Sequence, residues 1–247
     1  ETEASTFKGP NPGSERETQV LMALINSVRP AKLLDLHSYG ETVKFGYSCL
    51  HHPLDRHFED EAQITADGFG FARQPEHPSA EGEMFEWALA TYGTAAQLPE
   101  LALEFQPPIE AALDLVDPYV FGLVEALSRP IPVSGHTTDA HTGAPIASQI
   151  NVATLFPENG EQLTSGESSG RFDLDLPTGT WTLHFWAQGY ELHTTTIEVE
   201  ANLTTEVDIA LEPTATEPSP QGGCSHTHSM NGWARTLLVA LVLLRIR

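Results

Sequence analysis

The sequence predicts an α/β domain, a mixed sheet with helices, followed by an all-β antiparallel sandwich. Three observations carry this. Apolar residues recur at helical spacing as far as about residue 128. Short apolar runs of strand length lie between those helices. After Val133 the apolar period changes to two. The 247 residues suffice for one large or two modest domains, and 40% hydrophobic content supports a packed core. The formal net charge of −22 argues against nucleic-acid binding, because phosphate contacts need a basic surface. It fits a soluble protein of a saline or extracellular setting. Cys49 and Cys224 lie in segments of unlike character and do not suggest a disulfide framework. The chain opens on Glu1 rather than Met and shows no secretory signal, which reads as a processed chain or a fragment.

The elements follow in order. In "GPNPGSERETQVLMALINSVRP", Gly9, Pro10, Pro12 and Gly13 make a loop. Ser14 and Glu17 have the spacing of a capping box. Leu21, Leu24, Ile25 and Val28 then fall on one helical face, and Pro30 stops the helix. "KLLDLH" follows as a short apolar strand, completing the unit of an α/β domain. Residues 48–80 read as irregular, with His51, His52, His57 and His77 among acids and prolines. "EMFEWALATYG" reads as a helix ended by Gly93, and "ELALEFQ" as an apolar strand with Glu104 inside it. "DPYVFGLVEALSRP" reads as a helix with Asp117 as N-cap, Pro118 at its first position, and Val120, Leu123, Val124 and Leu127 facing inward. Pro130 and Pro132 mark a boundary. Six alternating runs then form the sandwich, with Trp181, Leu183 and Phe185 on one face, and Val207, Ile209 and Leu211 on another. The expected division is 1–130, 131–213, a linker over 214–231 and an apolar tail over 232–247.

These residues resemble known families. "GPNPGSERET…RPAKLLDLHSYGE", the helix around Trp87 and the strand with Glu104 resemble the zinc carboxypeptidase family over roughly residues 6–128, as the C-terminal half of its catalytic domain. Residues 133–212 resemble the carboxypeptidase regulatory-like, transthyretin-type sandwich. The end, "GGCS…NGWARTLLVALVLLRIR", resembles a myxobacterial C-terminal sorting signal. That implies a secreted protein, or one at the cell surface or outer membrane of a bacterium, with membrane or cell-surface attachment through the tail. The apolar run there is short of the ~20 residues that span a bilayer, so it reads as a processed signal. In that reading Cys224 is the processing or lipidation point.

The zinc carboxypeptidase resemblance implies a Zn2+ cofactor, His37 as a zinc ligand and Glu104 as the catalytic carboxylate that relays the proton of a zinc-bound water. It implies that Ser38 and Tyr39 line the substrate cleft and that Phe85 forms the floor of the pocket for the terminal side chain. The substrates would be the C-termini of peptides or proteins. The other zinc ligands and the carboxylate-binding arginines of the family lie upstream of the Gly-Pro loop. One ligand of three does not make a zinc shell, so the chain alone is expected to lack activity and not to retain zinc. His52-x-x-Asp55 and His57-x-x-Asp60 read as solvated loop residues, and Arg73 as a surface residue. Trp181, Trp186 and Tyr190 read as core or rim aromatics. The rival reading is a non-catalytic surface binding protein, a degenerate peptidase half with an adhesive sandwich.

Overall fold

The computed structural model describes residues 9–48, 51–155 and 161–215. The linker and tail expected after Thr214, with Cys224 in them, lie outside the described residues, as does Cys49.

The first helix, α1 (Arg16–Val28), ends before Arg29, whose backbone is left-handed. Its N-cap is Glu15, without a side-chain cap, so the expected Ser14–Glu17 capping box does not form. The Ser14 hydroxyl instead donates to the Glu15 carboxylate. Of the predicted inner face only Ile25 is buried, whereas Leu21, Leu24 and Val28 are exposed.

The "KLLDLH" run forms two short strands, β1 (Lys32–Leu34) and β2 (His37–Ser38). They are followed by β3 (Thr42–Lys44), helices α2 (Asp55–Phe69) and α3 (Met84–Tyr92), and strand β4 (Ala95–Leu101). β4 is the central strand. β1 and β2 lie parallel along one of its sides, and β3 lies antiparallel along the other. The register is continuous from Lys32↔Ala95 to His37↔Glu100, yet the ladder breaks between β1 and β2. The break lies beside Pro99, which has no amide to offer on that side.

The strand expected at residues 100–106 thus lies earlier, and its placement around Glu104 is corrected. Ala, Gln and Pro in "AAQLPEL" are poor strand formers, which hid it. β4 forms because it is paired on both sides. The chain leaves the sheet at Ala102, where φ is 58°.

Residues 48–80 are not irregular throughout. α2 buries Phe58, Ala62, Ala66 and Phe69, one face at helical spacing. Beyond β4 come α4 (Ile109–Asp114) and α5 (Val116–Ser128). α5 is capped at Leu115, not Asp117. It packs on α2 through Gly122 and Ala126, while the expected inner residues Val120, Val124 and Leu127 are exposed. The reason is close approach. A Cβ at Gly122 would sit 2.5 Å from the Phe69 ring and 2.9 Å from its Cα.

The second lobe contains β5 (Val133–Asp139), β6 (Gln149–Val152), β7 (Leu163–Thr164) and β8 (Arg171–Leu174). It continues with β9 (Gly179–Trp186), β10 (His193–Val199), β11 (Thr205–Glu206) and β12 (Ile209–Leu211). One sheet, in the order β10-β9-β6-β7, is antiparallel throughout. In the other, β5 pairs antiparallel with β8 and parallel with β11 and β12. Leu183 and Phe185 are fully buried, and Val207, Ile209 and Leu211 are buried too, as their alternation requires. Trp181 is half-buried and donates to the Pro177 carbonyl.

The described residues up to Thr214 make one compact unit, whose hydrophobic core runs through both lobes. Polar contacts join the lobes. Arg29 donates to the Thr164 carbonyl at 2.8 Å, Gln162 N–H to the Ala90 carbonyl, and Tyr47 O–H to Glu161. His52 is buried, not solvated: its Nδ1 accepts from Leu54 N–H, and its Nε2 faces Glu161. His57 Nε2 lies 2.8 Å from Asp175. Burial works against charge on His57, but the hydrogen bond and charge of Asp175, with Glu61 and Asp60, hold its pKa above the ordinary value.

Two stability predictions follow from this packing. Replacing Gly122→Ala raises helix propensity by up to about 1 kcal/mol but forces α2 and α5 apart. A net loss of about 1–3 kcal/mol is expected from overpacking, read as a lower urea midpoint; a rise would disprove the tight crossing. Asp139 accepts from the Thr142 amide, the Tyr190 and Thr142 hydroxyls and the His141 amide, which hold its carboxyl at about 2. Its folded pKa is thus depressed, so its contribution is complete above the ordinary carboxylate value of about 3.9 and is lost as pH falls through about 2. Asp139→Asn should therefore flatten the acid limb of the urea midpoint plotted against pH. An unchanged slope would show that Asp139 titrates normally.

Candidate functional site

The register His37↔Glu100↔Thr42 puts three residues in one row across the sheet. Cross-strand neighbours in register share a face, so the imidazole of His37 and the carboxylate of Glu100 stand side by side. Glu100 Oε2 is buried without a hydrogen-bond partner. A buried, unpaired carboxylate oxygen is costly and needs an occupant or a task. Thr42 is turned away to a structural bond, donating to the Gln74 carbonyl.

His37 is part-exposed, and its Nε2 lies 3.2 Å from Asp35 Oδ1. Burial pushes the Asp35 carboxyl up, and His37 partly offsets this. The Glu83 carboxyl is also pushed up by burial, with His37 lowering it and Asp35, Glu86 and Glu100 raising it. The imidazole thus interacts with two carboxylates, those of Asp35 and Glu83.

The loop after His37 is tied to the segment beyond β4. Ser38 Oγ donates to the Phe105 carbonyl at 2.9 Å, and Gly40 N–H to the Ala102 carbonyl at 2.8 Å. Ala102 N–H in turn donates to the Tyr119 hydroxyl. The Ser38–Tyr39 peptide is cis. Tyr39 is 58% exposed, and its ring meets Phe105 edge-on. Arg73 donates to the Gly40 carbonyl, so it braces this turn instead of standing free at the surface.

The structure brings His37, Ser38 and Tyr39 together on one rim. Glu104 lies on the adjacent bend with an exposed side chain, four residues beyond the carboxylate beside His37. Phe85 is 0% exposed, enclosed in the core. Sequence reasoning did not single out Glu100, which strand pairing sets opposite His37. The available signal was the short spacing of strand pairing: had "AAQLPEL" been read as the strand, Glu100 would have stood at its end.

Glu86 is buried and fully engaged. Its Oε1 accepts from Ser48 N–H, and its Oε2 from Gly82 and Glu83 N–H. With Glu83 it forms the capping box of α3.

Against known families, residues 1–106 match the zinc carboxypeptidase model and residues 132–212 match the carboxypeptidase regulatory-like domain. The first family is zinc-dependent, and its match points to a hydrolase. No curated protein matches the chain. Among solved structures the chain is similar to the minor pilin of Streptococcus agalactiae, at 19% identity and TM-score 0.28, over 36% of this chain and 47% of that one. It is also similar to Klebsiella pneumoniae 5-hydroxyisourate hydrolase, at 17% identity and TM-score 0.24, over 33% of this chain and 84% of that one. The chain spans under half the length of the pilin, and at such scores neither structure bears on function.

A catalytic zinc takes three protein ligands and an open position. At His37 the described residues bring one imidazole and carboxylates, and Nε2 of that imidazole faces Asp35. These residues by themselves do not fit a catalytic zinc.

Proposed function

We propose that the first lobe is the C-terminal part of a zinc-dependent carboxypeptidase that hydrolyses the last peptide bond of peptides or proteins, with His37 as one metal ligand. The observation that carries it is the pairing of His37 with Glu100, whose buried Oε2 has no partner. In this reading Glu100, rather than Glu104, takes the proton of the attacking water and passes it to the departing amine. The remaining ligands come from residues outside those described. Exposed apolar residues support a missing neighbour: Val20, Leu24 and Val28 on α1, and Val120, Val124 and Leu127 on α5. Faces of this kind on a monomer mark contact surfaces. The acidic composition supports a secreted or cell-surface protein.

Glu100→Gln in the active full-length protein is expected to lower kcat by about 10²–10⁴-fold, with Glu104→Gln within about threefold of wild type. The reverse order would overturn the assignment.

The terminal side chain accepted should be apolar. Phe85 is enclosed in the core and would back the pocket with an apolar wall from beneath its surface, and the two acids of that helix start, Glu83 and Glu86, are committed to the α3 cap. A Lys or Arg head group would lose water without gaining a partner. Peptides differing only in the last residue should release Leu or Phe faster than Lys or Arg. Faster release of the basic residues would remove Phe85 from the pocket.

A further inference from the structure

A second cluster lies apart from the His37–Glu100 row. The ligand atoms of His51, Asp55 and His77 all lie within 4.8 Å of one another. Two of these residues carry buried polar atoms with no hydrogen-bond partner, Asp55 Oδ1 and His77 Nδ1. The other Asp55 oxygen is already engaged. It accepts from His52 N–H at 2.9 Å and faces His51 Nδ1 at 3.3 Å. Two orphaned polar atoms in one cluster are unusual, since buried polar atoms are nearly always satisfied.

The backbone leaves room between them. Gly46 has φ +63°, and a Cβ there would come 3.4 Å from Asp55 Oδ1 and 3.5 Å from His77 Nδ1. With no side chain at Gly46, both atoms face a space of atomic size. His77 is held by the Phe45 ring, 4.5 Å away between centroids, and Asp55 is fixed as the first residue of α2. His51 is exposed, with its ring 6.0 Å from that of His77. It can swing onto an ion in this space without disturbing the core.

We propose that His51, Asp55 and His77 form a site for a divalent transition metal, with zinc as the best fit. Two imidazole nitrogens and one carboxylate oxygen suit zinc, and a fourth position stays open to water. A calcium or magnesium site would need more oxygen ligands than the cluster offers. The start of α2 disfavours a cation through the helix dipole, and the Asp55 carboxylate opposes that effect. The site is independent of the carboxypeptidase reading, since it shares no residue with it. Under this proposal the chain retains zinc away from His37, against the expectation drawn from His37 alone.

The test uses the purified 247-residue chain, freed of metal by chelation. Cys224→Ser, His226→Ala and His228→Ala are introduced as a common background, so that the tail adds no ligands. Zinc is titrated calorimetrically, and Co2+ serves as the absorption probe. One equivalent should bind, with a Co2+ spectrum of four- or five-coordinate type. His77→Ala and the near-isosteric Asp55→Asn should each weaken binding at least tenfold, whereas His37→Ala should leave that equivalent unchanged. Zinc should also raise the thermal midpoint of the parent and not that of a folded His77→Ala chain, with circular dichroism reporting the fold. Absence of binding at micromolar free zinc would overturn the proposal and leave water as the occupant of the space. Loss of the equivalent in His37→Ala but not in His77→Ala or Asp55→Asn would overturn it as well, and would place the ion at the His37 row.

Discussion

The pairing of β4 on both sides is the constraint from which the first lobe is built. Its residues have little intrinsic preference for a strand, and Pro99 removes one amide from the ladder. The strand persists because β1 and β2 supply hydrogen bonds on one side and β3 on the other. The missing amide breaks the ladder between Leu34 and His37 without shifting its register. His37 is therefore delivered to the end of the sheet opposite Glu100. A slip of one residue would send Glu100 to the other face and separate the two groups.

Carboxylates from the second lobe complete the first. Glu161 meets Tyr47 and His52, and Asp175 meets His57. These pairs are largely closed to water, where breaking one partner leaves an uncompensated group. Burial and the neighbouring carboxylate push the Tyr47 hydroxyl well above its ordinary pKa, so it stays a donor to Glu161. Both lobes also contribute to one hydrophobic core. The β-sandwich is thus joined to the α/β lobe through buried contacts, and the histidines that looked like loop residues form part of that junction.

The uncovered faces of α1 and α5 show the opposite situation. Each helix has the apolar stripe that binary patterning demands, but turns only small or single residues inward. α5 approaches α2 on glycine and alanine, and α1 buries Ile25 alone. The larger side chains of both helices stay exposed among the described residues.

The sequence by itself determined the division into an α/β lobe and a β-sandwich, the alternation that buries Leu183, Phe185, Ile209 and Leu211, and the strand run that reaches His37. Local periodicity suffices for these, because each face is set by neighbours two to four residues apart. It did not determine β4, the inward face of α5, the capping of α1, or the carboxylate beside His37. Strand identity in "AAQLPEL" comes from partners roughly sixty residues away, and a helix face carrying both small and large apolar residues is chosen by the distance of its neighbour. The grouping of His51, Asp55 and His77 likewise needed the fold, since Asp55 and His77 lie 22 positions apart (77 − 55 = 22) and the turn at Gly46 leaves the space between them.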